Sequence, residues 1–248
     1  MVFISNLARP ALGEAEALAP VLGMTSYEAR LTLAAATPTI VLSTADRTRA
    51  NDVLGVLRSR GHGAHVFDEE NFVASAAMTR ADHFVLDAEG MRRTATGELL
   101  PYGDVFAILR AVFDTTSEVE RQSQPSFVDE HGINMAALQA GVVKSEERER
   151  VVYFFRRSGE KPWLLRERHA SYVGLGEERS TVAFVNFTRT IARMRTSSAM
   201  AVYDDRLERR RIGARLNAEG ERSSRDGMDL LAHLLAMTIA SQGGSPYR

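Results

Sequence analysis

The 248-residue chain contains no cysteine, which excludes disulfide scaffolds, thiolate zinc sites, CxxC redox centres and cysteine nucleophiles. Lysine is almost missing as well: Lys144 and Lys161 stand alone, and every other basic position is arginine. No apolar run approaches the roughly 18 residues that a membrane helix needs, so no membrane contact is expected. The opening MVFISNLARPALGEAEALAP has neither a basic start nor a long apolar stretch. It does not read as a secretory signal, and a cytoplasmic location is expected. The net charge of −1 argues against a generally basic nucleic-acid binder. What remains is 44% hydrophobic and 25% charged residues, ordinary for a globular protein of one large domain or two modest ones.

Charge is distributed unevenly. Residues 151–248 hold 17 basic against 11 acidic positions, while the first 150 residues hold 14 against 21. An arginine fork pairs with carboxylate or phosphate in a bidentate way that lysine does not match. The basic half can therefore be an anion-binding face, although a codon bias towards arginine gives the same count.

Residues 1–75 read as a small α/β domain. A short helix over Ala15 to Leu22 ends at Gly23, a natural left-handed cap. Thr25 and Glu28 have capping-box spacing before a helix over Ser26–Ala36, with Tyr27, Leu31 and Ala34 or Leu33 on one face. Pro38 ends that helix, and TIVL at 39–42 reads as a buried strand. Asp46 precedes an amphipathic helix, Arg47–Arg60, closed by Gly61 and followed by a strand at Ala64–Phe67. A response-regulator receiver would need paired acidic residues after its first strand; Ser43-Thr44-Ala45 stands there instead.

The run Gly23-x-Thr25-x-Tyr27-Glu28-Ala29-Arg30, then Pro38, then Ala50, Leu54, Leu57 and Gly61, resembles the C-terminal domain of the bacterial ribosomal stalk protein. The resemblance covers about a quarter of the chain and implies a shared fold. That family engages translation factors through lysines on its first helix. Ala17, Leu18, Ala19 and Pro20 occupy the corresponding stretch here, so the factor-binding face is expected to be lost.

From His83 the pattern becomes strand-like. FVLD at 84–87, the Glu89-Gly90 turn and Met91–Thr94 predict a hairpin, and strands return in VVYFFR at 151–156 and WLLR at 163–166. Residues 114–149 are polar and predict a mobile insert. Ser180 is expected to cap a helix over Thr181–Arg195 carrying Phe184, Phe187, Ile191 and Met194. With the LPYGDVFAI element at 100–108, residues 76–195 resemble a pleckstrin-homology-like domain. The fold class expected is therefore α+β: a stalk-like unit, a partly open β-barrel with a closing helix, and an Arg-rich helical tail over 196–248.

Several constellations bear on chemistry. His62 and His65 stand three apart near Asp68 and Glu69, but a turn and a strand would aim them apart, so no metal site is expected. His169 and Ser171 lie close to Glu167 without a GxSxG elbow, and Tyr172 is expected to pack inward. No catalytic residue and no cofactor are assigned. Gly174, Gly176 and Ser180 lead into a helix N-terminus and, with Arg209, Arg210 and Arg211, form the candidate anion-binding set. Tyr203 to Arg211 otherwise reads as a solvated helix face with Asp205–Arg209 and Glu208–Arg211 pairs. The final helix, Gly227–Ile239 after Asp226, presents apolar residues that must dock. Leu231 and Leu235, with Pro101 and Tyr102, are the candidate partner contacts, and that helix could also join two copies. The function expected is a non-enzymatic adaptor for a protein partner; the alternative is nucleic-acid or ribosome association through the basic half.

Overall fold

The computed structural model describes residues 1–120, 142–209 and 224–243. The chain is a mixed α and β protein, and among the described residues it forms five helices and three open sheets. None of the sheets closes into a barrel.

The first unit begins with a strand that the sequence reading passed over, β1 (Val2–Asn6), followed by α1 (Ala11–Leu22) and α2 (Ser26–Leu33). β2 (Thr39–Leu42), α3 (Arg47–Ser59) and β3 (Gly63–Val66) complete it. β1 lies in the centre of the sheet, antiparallel to both β2 and β3. The local signals act as expected. Gly23 adopts φ 71° and closes α1, Thr25 and Glu28 form a complete capping box, and the Asp46 carboxylate accepts from the backbone N–H groups of Thr48 and Arg49. The buried face of α2 is Ala29 and Leu33, whereas Tyr27 is exposed, so the helix is rotated from the face expected. Val2, Ile4, Leu18, Val53 and Leu57 form the core between this sheet and its helices.

The second unit is built on a five-stranded sheet, in the order β11-β8-β9-β10-β4. Its strands are β4 (Thr79–Arg80), β8 (Val105–Glu120), β9 (Val142–Arg156), β10 (Trp163–Arg166) and β11 (Val202–Leu207). A small meander of β5 (Phe84–Leu86), β6 (Gly90–Arg93) and β7 (Leu99–Pro101) packs on one face of it. The helix α4 (Ala183–Ser197) packs on that same face through Phe187, Ile191 and Met194.

Three expectations are corrected. Residues 114–120 and 142–149 form a paired antiparallel ladder and not a mobile insert; residues 121–141 lie outside the described residues. The expected solvated helix at Tyr203 is strand β11, because Val202 to Leu207 pair in parallel with Ala107 to Ala111 of β8. The expected tail is an integral layer. Helix α5 (Ser224–Gln242) places Leu231 and Leu235 against Leu109, Tyr153 and Phe155 of the large sheet. Its Leu230 and Leu234 pack against Phe3 and Phe67 of the first unit. A helix apolar on both sides is buried on both sides. No helix among the described residues is long and apolar enough to cross a membrane.

Candidate functional site

The strand ladder brings basic side chains together. Val112 pairs with Arg150, Arg110 with Val152 and Asp114 with Arg148, so Arg110, Arg148 and Arg150 share the face of the sheet that carries α4. Helix α4 covers the Ile108 and Val152 end of that face, and its first turns reach Arg110 and Arg150 through Phe187 and Phe184. Phe184, in its first turn, is 43% exposed and marks the boundary. The resulting concavity measures about 450 Å³ and is lined by Arg110, Val112, Arg148, Arg150, Phe184 and Glu208. Of these, Arg110 is paired with Glu208, and Arg150 with Glu167 just outside the concavity.

Each fork is held. Arg110 donates from Nη2 to Glu208 (2.6 Å) and from Nη1 to the Tyr203 hydroxyl (3.2 Å), with its guanidinium 5.8 Å from the Phe187 ring centre. Its Nε is buried and has no hydrogen-bond partner. Arg150 lies 4.7 Å over the Phe184 ring and donates to Glu167 at 3.1 Å. Arg195 stacks 3.9 Å over Tyr203, which keeps that hydroxyl in place beside Arg110. Stacking on aromatic faces holds an arginine without consuming its N–H donors. Forks held in this way can accept carboxylates from a partner with little further ordering cost.

The structure distributes the residues expected from sequence differently. Gly174 makes a bridge to Val85, and a Cβ there would stand 2.3 Å from the Phe84 carbonyl oxygen, so this glycine serves close packing. The Ser180 backbone N–H donates to Asn186 Oδ1 and its carbonyl accepts from Asn186 Nδ2, while its hydroxyl accepts from Val182 N–H. Ser180 therefore stabilises the entry to α4, and its N–H is not free for an anion. A second concavity, about 470 Å³, opens beside this loop, with Arg179, Ser171 and Thr181 among its lining residues. Gly176 takes φ 56° in the same loop.

Arg209 is exposed, and Arg210 and Arg211 lie outside the described residues. Glu208, expected to pair with Arg211, holds Arg110 instead. Tyr102 is half-buried and donates to the Asp87 carbonyl oxygen at 3.0 Å, tying its short turn to the β5–β6 hairpin; burial raises its pKa. Pro101 ends β7 beside it. Leu231 and Leu235 are each 1% exposed, so they are core residues and not partner contacts.

The histidines are occupied structurally. His62 places Nε2 3.2 Å from Glu14 and accepts the Ala8 backbone N–H at Nδ1, whereas His65 meets Ser5 and stacks on Phe3. Glu14 also accepts from Arg60 at 2.6 Å, a bond that holds its pKa at about 2 against the effect of burial. His169 pairs with Glu149 at 2.7 Å, and Glu167 with Arg150. Tyr172 packs inward, as expected, and donates to the Glu167 carbonyl oxygen at 2.8 Å. Among the described residues, no group of three or more metal-ligating side chains converges.

Sequence reading missed Arg110, Arg148 and Arg150, and placed Phe184 among inward residues. The signal present was the period-two run Arg148-x-Arg150-x-Val152, which reads as one strand face. Comparison with protein families, with curated proteins and with solved structures gives no match.

Proposed function

We propose that the chain is a non-enzymatic binding module whose arginine-lined groove takes a carboxylate-rich segment of a protein partner. The observation that carries this reading is the set of Arg110, Arg148 and Arg150 around half-exposed Phe184. The stalk-like reading of residues 1–75 belongs with it, supported by the helix and strand order and the Thr25–Glu28 capping box. The meander packed with α4 on the larger sheet is what supports a pleckstrin-homology-like reading of the second unit, and a cytoplasmic setting is part of the same proposal.

A protein segment fits better than a nucleic acid for two reasons. One face of Phe184 is already covered by Arg150 and no second aromatic ring lines the groove, so successive bases find no run of stacking platforms. The strands also leave the groove through residues 114–120 and 142–147, which carry five carboxylates and one lysine. A long polyanion would run against them.

The test is anisotropy of a labelled glutamate-rich peptide and of a single-stranded DNA of equal charge. Arg150→Ala and Arg148→Ala should each weaken the peptide about tenfold or more, the value of a lost charge-assisted bond. Preferential binding of DNA, with a steep salt dependence lost in the same variants, would replace this reading with nucleic-acid association.

A further inference from the structure

We propose that a small cavity beside the first turn of α5 binds a free α-amino acid with a short side chain, taking its carboxylate on Arg80 and its ammonium group on Asp226. The cavity lies on the other face of the large sheet from the arginine groove, and the inference does not depend on how that groove is read.

Strand register gathers the side chains. Leu164 pairs with Arg80 of β4, and Phe113 of β8 pairs with Glu149 of β9. These four stand on the face that carries α5, together with Arg166, two residues beyond Leu164. Helix α5 covers the Leu109 and Tyr153 part of that face, and its first turn adds Asp226. Past this point β8 and β9 continue as a two-stranded ribbon. The cavity left between these elements measures about 160 Å³, and its walls include Ser75, Arg80, Phe113, Leu164, Arg166 and Asp226.

Charge selects the ligand. Arg166 is committed to Glu149, which also pairs with His169 at 2.7 Å. Arg80 is exposed, and among the described residues its guanidinium makes no hydrogen bond and no ion pair. It therefore shares the cavity with Asp226 while lying beyond ion-pair distance of that carboxylate. A simple anion drawn to Arg80 meets the like charge of Asp226, and a simple amine drawn to Asp226 meets that of Arg80. A zwitterion joins each group to its opposite.

Size limits the class. Pockets for drug-sized molecules run from roughly 300 to 1,000 Å³, so this one admits only a small occupant. A small α-amino acid carries both charges on adjacent atoms of one short skeleton. Phe113 and Leu164 supply an apolar wall for its carbon atoms. Asp229, fully buried on α5, accepts from the Ser75 backbone N–H at 2.7 Å and fixes the Ser75 wall. With Arg166 held as well, binding has to order little besides Arg80.

The experiment is isothermal titration calorimetry on the full chain, with glycine, L-alanine and L-serine as probes and propionate, ethylamine and phosphate as controls. At least one amino acid should bind with a dissociation constant of about 1 mM or tighter, and each control about tenfold more weakly or worse. Arg80→Gln should weaken the amino acid about tenfold or more, the value of a lost charge-assisted bond. Circular dichroism and the urea midpoint should not change in that variant, because the exposed guanidinium holds nothing else. Asp226→Asn should weaken binding by a similar factor. An acid in a first helical turn also steadies its helix, so the urea midpoint of this variant is measured alongside. If it does not fold, Arg80→Gln and the two one-charge controls decide. No binding of any of the three amino acids at about 10 mM, binding that survives either substitution, or a preference for phosphate overturns the inference.

Discussion

His233 is 2% exposed, and burial lowers its pKa to about 4. Phe67, Phe72 and Phe155 ring it, and its Nε2 lies against the backbone of Val73. A neutral imidazole suits such a site. The unfolded chain binds a proton near pH 6.5, whereas the folded chain resists it until about pH 4. Stability is therefore lost as pH falls through that window, by up to about 3 kcal/mol. Urea unfolding at pH 7 and pH 4.5 should show the loss, and His233→Phe should remove most of its pH dependence. Glu14, held at about 2 by Arg60, adds a further loss as pH drops below its ordinary value of 4.5. Asp229 acts in the opposite sense. Burial raises its pKa, so its contribution is greatest when protonated, in acid, and declines as pH rises through the folded value. It nevertheless accepts from the Tyr153 hydroxyl and the Ser75 backbone N–H, both at 2.7 Å.

At the level of elements, α5 illustrates how an apolar pattern can mislead. Leu230, Leu231, Leu234 and Leu235 cover two faces, and an exposed docking helix would need only one. Leu231→Asp places an unpaired carboxyl against Leu109 and Phe155 of the large sheet. The expected cost is about 3 kcal/mol or more, measured as a fall in the urea midpoint together with lost near-UV dichroism. Normal folding with selective loss of a partner would return α5 to the binding surface. Strand β11 teaches a related lesson. Its charged run was read as a helix because acids and bases recur four apart, but parallel pairing with β8 decides its conformation.

Across the whole molecule, α5 ties the two units together. Leu234 is fully buried against Phe3 and Phe67, while Leu231 on the same helix serves the larger sheet. The segment between the units is held as well, by Asp229 at Ser75 and His233 at Val73. The chain should therefore unfold in one transition. Leu234→Ala is expected to cost about 2–5 kcal/mol. The shift should be equal when followed by fluorescence of Trp163, the single tryptophan, in the large sheet and by hydrogen exchange in β1 to β3. Two separated transitions would show that the contact does not couple the units.

The amino-acid order alone determined the features that depend on neighbours in sequence. Gly23, the Thr25–Glu28 box and Asp46 mark helix ends through bonds spanning two to five residues. TIVL, VVYFFR and WLLR are strands because β-branched and aromatic residues leave few alternatives. Only the tertiary structure decided what depends on distant partners. The polar ribbon lacks an apolar alternation, so its strand character is visible only in its pairing. The groove joins Arg110 to Arg148 and Arg150 from strands some forty positions apart, then adds Phe184 and Glu208 from two further elements. Local periodicity records which face a residue shares with its neighbours; sheet register and the placement of α4 determine what each of those faces meets.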